Sequence, residues 1–126
     1  MNEEERQLSG LAQQVGSLTR DGKVDWQETD AEDTFLLRLH QGSVLVGSLN
    51  ADGEPPYELR LQDPEGREVA RVVSSKSYAG GSEEELMNRI LEDVYYLARG
   101  SGLGTARVVT NVLDELKEIR GPEPRF

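Results

Sequence analysis

The sequence contains no cysteine and a single histidine, His40. Without cysteine, the chain can form neither a disulfide nor a zinc site built on thiolate ligands. One histidine would need three oxygen ligands to hold a zinc ion, and a Ser-His-Asp triad would need partners that no local spacing identifies. We therefore expect no metal, no cofactor and no catalytic residue, and the sequence favours a binding protein over an enzyme.

Basic residues and long apolar runs are also scarce. The chain has 14 Lys and Arg against 24 Asp and Glu, a formal net charge of −10. Such a surface repels phosphates unless bases are segregated into a patch, and none is visible, so nucleic acid is excluded as a partner. No apolar run approaches the roughly 20 residues of a membrane span, and the start, MNEEERQ, is too acidic for a signal peptide. The sequence thus predicts a cytoplasmic protein without a membrane partner.

Three segments have the apolar spacing of amphipathic helices. They cover residues 3–19, residues 83–99, and a last segment that begins near Thr105 and ends near residue 120. The polar, glycine-bearing stretch 74–82 predicts a mobile connector before the second helix. We expect a single domain over residues 1–120, followed by a polar tail at 121–126.

Residues 24–73 alternate between apolar and polar side chains, which is the period of half-buried strands. Turn-forming residues interrupt this alternation at Gln41-Gly42 and in the segment DPEG at 63–66, so we predict turns there. In the strand 68–73, either the face with Val69 or the face with Ala70 could be buried. The prediction is an α+β fold: an N-terminal helix, an antiparallel meander of four or five strands, and two C-terminal helices packed on one sheet face.

A glycine-rich segment, GSGLGT, joins the two C-terminal helices and includes Gly100, Gly102, Gly104 and Thr105. This segment differs from a dinucleotide-binding fingerprint in two ways. The fingerprint has its third glycine one residue later, and the fingerprint follows a strand, whereas this segment follows residues with helical periodicity. We therefore interpret it as a helix-helix corner in which Gly100 or Gly102 ends one helix and Thr105 caps the next. The alternative is a site for a small molecule or an anion at the first amides of the last helix, with 74–82 as its lid.

Acidic residues concentrate in residues 25–33, which carry five acids and no base: Asp25, Glu28, Asp30, Glu32 and Asp33. This acidic strip could hold a hard cation, attract a basic partner, or keep a sheet edge soluble. Tyr95 and Tyr96 lie about 100° apart on a helix, so both cannot face the core. Exposed tyrosines are favourable interface anchors. The acidic strip, Tyr95 and Tyr96 therefore form the candidate interaction surface.

The order of GKVDWQET, TFLLRL, YELRLQDPEGREV and LEDVYYLARG resembles a group of small uncharacterised bacterial α+β proteins. The resemblance implies the order of the fold and no activity, cofactor or site residue. With no catalytic constellation, the sequence favours an acidic cytoplasmic protein-interaction module of adaptor, chaperone-like or immunity type. Its expected partner is another protein with basic character, and a homodimer that buries a sheet edge or the tyrosine face is a further possibility.

Overall fold

The computed structural model describes residues 2–74 and 82–120, and it confirms the predicted α+β class and element order. Residues 75–81 of the predicted connector and the predicted tail at 121–126 lie outside the described residues. The elements, in chain order, are α1 (Glu3–Arg20), β1 (Gln27–Glu28), β2 (Thr34–Leu39), β3 (Gly42–Ser48), β4 (Tyr57–Gln62), β5 (Glu68–Val73), α2 (Ser82–Gly102) and α3 (Thr105–Arg120).

Helix α1 begins with a capping box. The side chain of Asn2 accepts a hydrogen bond from the Glu5 amide at 2.8 Å, and the Glu5 carboxylate faces the Asn2 amide at 3.5 Å. Negative charge in this first turn complements the helix dipole. The helix ends before the Asp21-Gly22 turn, where Gly22 takes a φ of +71°. The predicted helix over residues 3–19 is thus confirmed with one residue more.

The five strands form one sheet in the order β1-β2-β3-β4-β5, and every pairing is antiparallel. This is the meander that the short links predict. The β2–β3 turn differs from the expected Gln41-Gly42, because Gly42 pairs with Leu39 and leaves His40 and Gln41 as the two turn residues. Although the alternation begins at residue 24, the first strand covers only Gln27–Glu28, and Trp26 packs into the core just before it.

The register of β5 decides which of its two apolar faces is buried. Val72 lies opposite Leu59, and Ala70 lies opposite Leu61, so both share the core face of β4. Val72 is 8% exposed, whereas Val69 is 55% exposed. The buried face is therefore the one with Ala70 and Val72.

One face of the sheet packs against helices and the other is open. Helix α2 crosses β1 to β4, and α1 packs on α2 and touches β5. The buried core between these layers draws residues from α1, the sheet, α2 and the segment before β1. Helix α1 and that segment supply Leu8, Ala12, Val15 and Trp26. The sheet supplies Phe35, Leu37, Val44, Val46, Tyr57, Leu59 and Val72, and α2 supplies Met87, Ile90, Leu91, Val94, Tyr95 and Ala98. Burial of this apolar surface is the main stabilising term of the fold.

The two C-terminal helices contribute unequally to this packing. The prediction placed both on the sheet, but the contacts of α3 with the described elements run to α2 alone. Every residue of α3 is exposed. The turn at Leu103-Gly104 directs α3 away from the sheet, so its apolar stripe does not reach the core.

Within the described residues, none of the helices combines the length and the apolar character needed to cross a membrane.

Candidate functional site

The acidic strip lies along β1 and the loop that leads into β2. Asp25, Glu28, Asp30 and Glu32 are exposed, and Asp33 is half-buried with a φ of +51°. Hydrogen bonds hold this loop in shape. The Thr29 hydroxyl donates to the Thr34 carbonyl at 3.0 Å, and the Asp33 carbonyl accepts from the Ser48 amide at 3.1 Å. The carboxylates are therefore presented by an ordered loop.

No carboxylate of the acidic strip forms an ion pair within residues 2–74 and 82–120. The open face of the sheet behaves differently. There Glu58 lies 3.0 Å from the Arg60 guanidinium and 2.8 Å from that of Arg71. Among the described residues, no group of three or more acidic or histidine side chains is arranged to hold a metal ion.

The two adjacent tyrosines of α2 have different roles. Tyr95 is completely buried, and its ring stacks on Tyr57 with centroids 4.6 Å apart. Tyr96 is 51% exposed and packs edge-on against both Tyr95, at 5.3 Å, and Tyr57, at 6.2 Å. Tyr95 therefore does not belong to the interaction surface predicted for it, because the face of α2 that carries it lies on the sheet. Tyr96 remains a surface residue, on a rigid aromatic platform.

Burial and nearby carboxylates raise the pKa values of two residues of the tyrosine cluster (Tyr57, Tyr95 and Tyr96). Burial raises the pKa of the Tyr95 hydroxyl, and the negative charge of Asp33 raises it further. Burial also raises the pKa of Tyr57, with contributions from the Tyr96 hydroxyl and from the charges of Glu92 and Glu54. Asp33, Glu54 and Glu92 thus each raise the pKa of a tyrosine in this cluster.

A cleft of about 290 Å³ connects the acidic strip with the side of α2. Residues 28–35 line one wall, and Arg99 and Leu103 line the other. Tyr96 lies one turn of α2 before Arg99, so these residues share one side of the helix. Tyr96 itself lines a different cleft, which it shares with Asp25 of the acidic strip. Arg99 and Leu103 were not among the predicted site residues, although their spacing of three and seven from Tyr96 is a signal that could have identified them.

The glycine segment is a helix-helix corner, as interpreted from the sequence. The residue in the left-handed conformation, however, is Gly104 rather than Gly100 or Gly102. Gly100 and Gly102 remain helical, and α2 continues to Gly102. A Cβ atom on Gly102 would lie 2.7 Å from Phe35 Cδ1, so only glycine fits there. Gly104 takes the left-handed conformation, with a φ of +64°, and its carbonyl accepts from the Val108 amide. Gly104 thus ends the corner, and Thr105 is the first residue of α3.

Beside this corner lies an open cleft of about 610 Å³. Its lining includes Arg20 at the end of α1, Arg107 in the first turn of α3, and Thr105. Asp25 also lines it and contributes the opposite charge. Two guanidinium groups and a helix N-terminus are chemically suited to an anion. The predicted anion site at Gly100, Gly102, Gly104 and Thr105 therefore stays a prediction, now with these neighbours.

Comparisons with known protein families, with curated proteins and with solved structures find no match to this chain. The resemblance to small bacterial proteins stays a prediction, since nothing tests it.

Proposed function

We propose that this protein is an interaction module that binds a basic segment of another protein along the acidic strip and Tyr96. The observation that carries the proposal is a run of exposed carboxylates without ion pairs among the described residues, beside a cleft whose other wall is the helix that presents the exposed Tyr96. A cytoplasmic setting, predicted from the N-terminal composition, belongs to the same proposal.

The acidic strip supplies the electrostatic part of this recognition. Within the described residues, Asp25, Glu28, Asp30 and Glu32 form no ion pair, whereas Asp33 interacts with Tyr95. A Lys or Arg from a partner would therefore meet the first four carboxylates without breaking a salt bridge. Arg99 lines the cleft opposite residues 28–35 and already places a positive charge there, so a basic partner would contact the outer, solvent-exposed side of the acidic strip. Charges arranged in this way raise the association rate and select partners of opposite sign.

Tyr96 supplies the apolar part. The Tyr96 ring packs against Tyr57 and Tyr95, so its side chain has little rotational freedom left to lose when a partner binds. A tyrosine restrained in this way loses less conformational entropy on binding than a free side chain. Central aromatic residues contribute a large share of the binding energy at protein interfaces, with a charged rim around them.

The experiment compares two charge reversals of equal size. Asp30→Lys/Glu32→Lys changes the acidic strip, and Asp114→Lys/Glu118→Lys changes α3 by the same four charges. We would capture interacting proteins with each tagged variant at low salt and quantify the most abundant stoichiometric partner, with Tyr96→Ala as a third variant. A lysine-rich peptide added to the labelled protein gives a direct measure, through amide shifts at 28–33 and 96.

We expect the strip variant to lose the partner and the α3 variant to retain it. Tyr96→Ala should weaken binding by roughly tenfold to a hundredfold, as is typical of a central aromatic contact. Binding by the wild type should fall as salt rises. Equal capture by all variants, or capture that does not depend on salt, would contradict the proposal.

The second candidate function is anion binding at the helix-helix corner, and the cleft that contains Arg20 and Arg107 favours it. Thermal denaturation in the presence of inorganic phosphate and nucleotides tests it. A ligand at 100 times its dissociation constant adds about 2.7 kcal/mol to the free energy of unfolding. Arg107→Ala should remove that gain, and an unchanged melting temperature across the panel would exclude this function.

A further inference from the structure

Helix α3 exposes an apolar stripe that no described element covers. Its six large apolar side chains are between 48% and 72% exposed: Val108, Val109, Val112, Leu113, Leu116 and Ile119. At 100° per residue, these positions fall within one side of the helix. They are the side chains that an amphipathic helix ordinarily buries, so α3 has the sequence of a packed helix without a packing partner in its own domain.

The size of the stripe is close to the minimum that a specific dimer needs. Six half-exposed side chains of this kind present about 500 Å² of apolar surface, near the upper end of what monomeric proteins expose. Two copies facing each other would bury on the order of 1,000 Å², which reaches the lower range of specific interfaces. A helix of 16 residues is marginal in water without tertiary packing, so such a contact would also stabilise α3 itself.

The charge of α3 differs from that of the rest of the chain. The formal net charge of the whole chain is −10. Residues 105–120 carry three acids (Asp114, Glu115 and Glu118) and three bases (Arg107, Lys117 and Arg120), which cancel. Two acidic molecules repel each other over most of their surface. The neutral helix is therefore a surface at which one copy can approach another without that penalty.

The charges that border the stripe specify how two copies meet. Val109, Val112, Leu116 and Ile119 follow the three-four spacing of a coiled-coil seam. Relative to this seam, Glu115 lies on one flank and Arg120 on the other. In a parallel pair, Glu115 of one helix faces Arg120 of its partner, five residues further along. In an antiparallel pair, flanks of the same sign face each other.

We propose that α3 pairs with α3 of a second copy, parallel and in register, to form a homodimer with two-fold symmetry. The apolar stripe forms the buried seam, and two Glu115–Arg120 pairs lie along its sides. This assigns the self-association surface to α3, whereas the sequence pointed to a sheet edge or to the tyrosines. The acidic strip and Tyr96 are on other elements and remain open to a different partner.

Sedimentation equilibrium between about 1 and 500 μM tests the dimer. With an interface of this size, we expect a dissociation constant on the order of 10 μM. Leu116→Lys places a charge in the seam and should raise the dissociation constant at least 100-fold. Thr110→Lys places the same charge on α3 outside the seam and should have little effect. All these positions are exposed in the single chain, so the core of both variants should fold as in the wild type, and a loss of helix confined to α3 in Leu116→Lys would follow from the loss of the dimer.

The orientation is tested separately. The native chain contains no cysteine, so a single Ile119→Cys variant has one thiol. In the parallel dimer this residue meets its copy, and mild oxidation should yield the cross-linked dimer. In an antiparallel dimer the two thiols lie at opposite ends of the seam and should not react. Glu115→Arg should weaken the parallel dimer about threefold to tenfold, and Glu115→Arg/Arg120→Glu should restore it.

Three results would overturn the proposal. A wild type that stays monomeric at 500 μM excludes self-association, whether the stripe then binds a different protein or a lipid surface. A dimer that Leu116→Lys and Thr110→Lys affect equally places the interface elsewhere. A dimer without an Ile119→Cys cross-link excludes the parallel register.

Discussion

The Trp26 amide donates a hydrogen bond to the Ser101 hydroxyl at 2.9 Å, across 75 residues of sequence. The indole of the same tryptophan donates to the Thr19 hydroxyl, also at 2.9 Å. Trp26 therefore joins the end of α1, the entry to the sheet and the last turn of α2. The acidic strip begins one residue before it, so the same contacts position the strip against α2.

We predict that Ser101→Ala destabilises the domain by about 1–2 kcal/mol, because the buried Trp26 amide loses its acceptor. The free energy of unfolding from urea denaturation measures the change. The control is Ser17→Ala on the exposed side of α1, which should alter stability by less than about 0.5 kcal/mol. Similar losses in both variants would mean that the bond to Trp26 contributes little.

We predict opposite effects for alanine at two glycines of α2. Gly102→Ala should destabilise the domain by about 1–2 kcal/mol, because its Cβ would lie 2.7 Å from the Phe35 ring. Gly100→Ala should stabilise it by about 0.5–1 kcal/mol, since its nearest neighbour, the Thr105 hydroxyl oxygen, is 4.0 Å away and alanine favours the helix. The melting temperatures of the two variants test this prediction. A Gly102→Ala variant that is more stable than the wild type would show that the Phe35 ring can move aside at little cost.

We predict that the two faces of β5 respond differently to truncation. Val72→Ala should cost about 1.5–2.5 kcal/mol, because Val72 is buried opposite Leu59. Val69→Ala should be within about 0.5 kcal/mol of the wild type, because Val69 is exposed. Urea denaturation distinguishes the two, and the reverse order would mean that β5 pairs one residue out of this register.

We predict that the domain loses stability above about pH 10, where an unfolded tyrosine ionises. Because the folded pKa of Tyr95 is raised, its contribution is complete below that pH and is lost as pH rises through the folded value. Tyr57 acts in the same direction. Tyr95→Phe should therefore show a smaller loss between pH 8 and pH 11 in urea midpoints. An identical loss would indicate that the Tyr95 pKa is not raised.

The apolar periods of the helices and strands are clear, so the sequence predicted these elements well. Two features depend on tertiary contacts instead: the buried face of β5 and the end of α2. In β5 the segment EVARVV has apolar residues at both parities, and only pairing with β4 selects Val72. Helix α2 was predicted to end at Gly100 or Gly102; Gly102 is its last residue, while the left-handed conformation expected there is taken by Gly104. Here Gly102 remains helical, since its missing side chain makes room for Phe35.

The candidate site was predicted in composition but not in arrangement. Charge density alone identified the acidic strip. Adjacent tyrosines indicated that one is exposed, but the rotation of α2 on the sheet decides that it is Tyr96. The exposure of the α3 stripe could not be predicted, because its pattern is the same as that of a buried helix. The direction set at Gly104 leaves it uncovered.

The meander order has a consequence for how the chain folds. Each strand pairs with its neighbour in sequence, so the sheet can assemble from hairpins with short loops to close. The contacts between α1 and α2 span most of the chain and should form later. Trp26 lies at the junction of these two stages. Its fluorescence, from the single tryptophan of the chain, should report the late closure of the helical layer in a stopped-flow experiment.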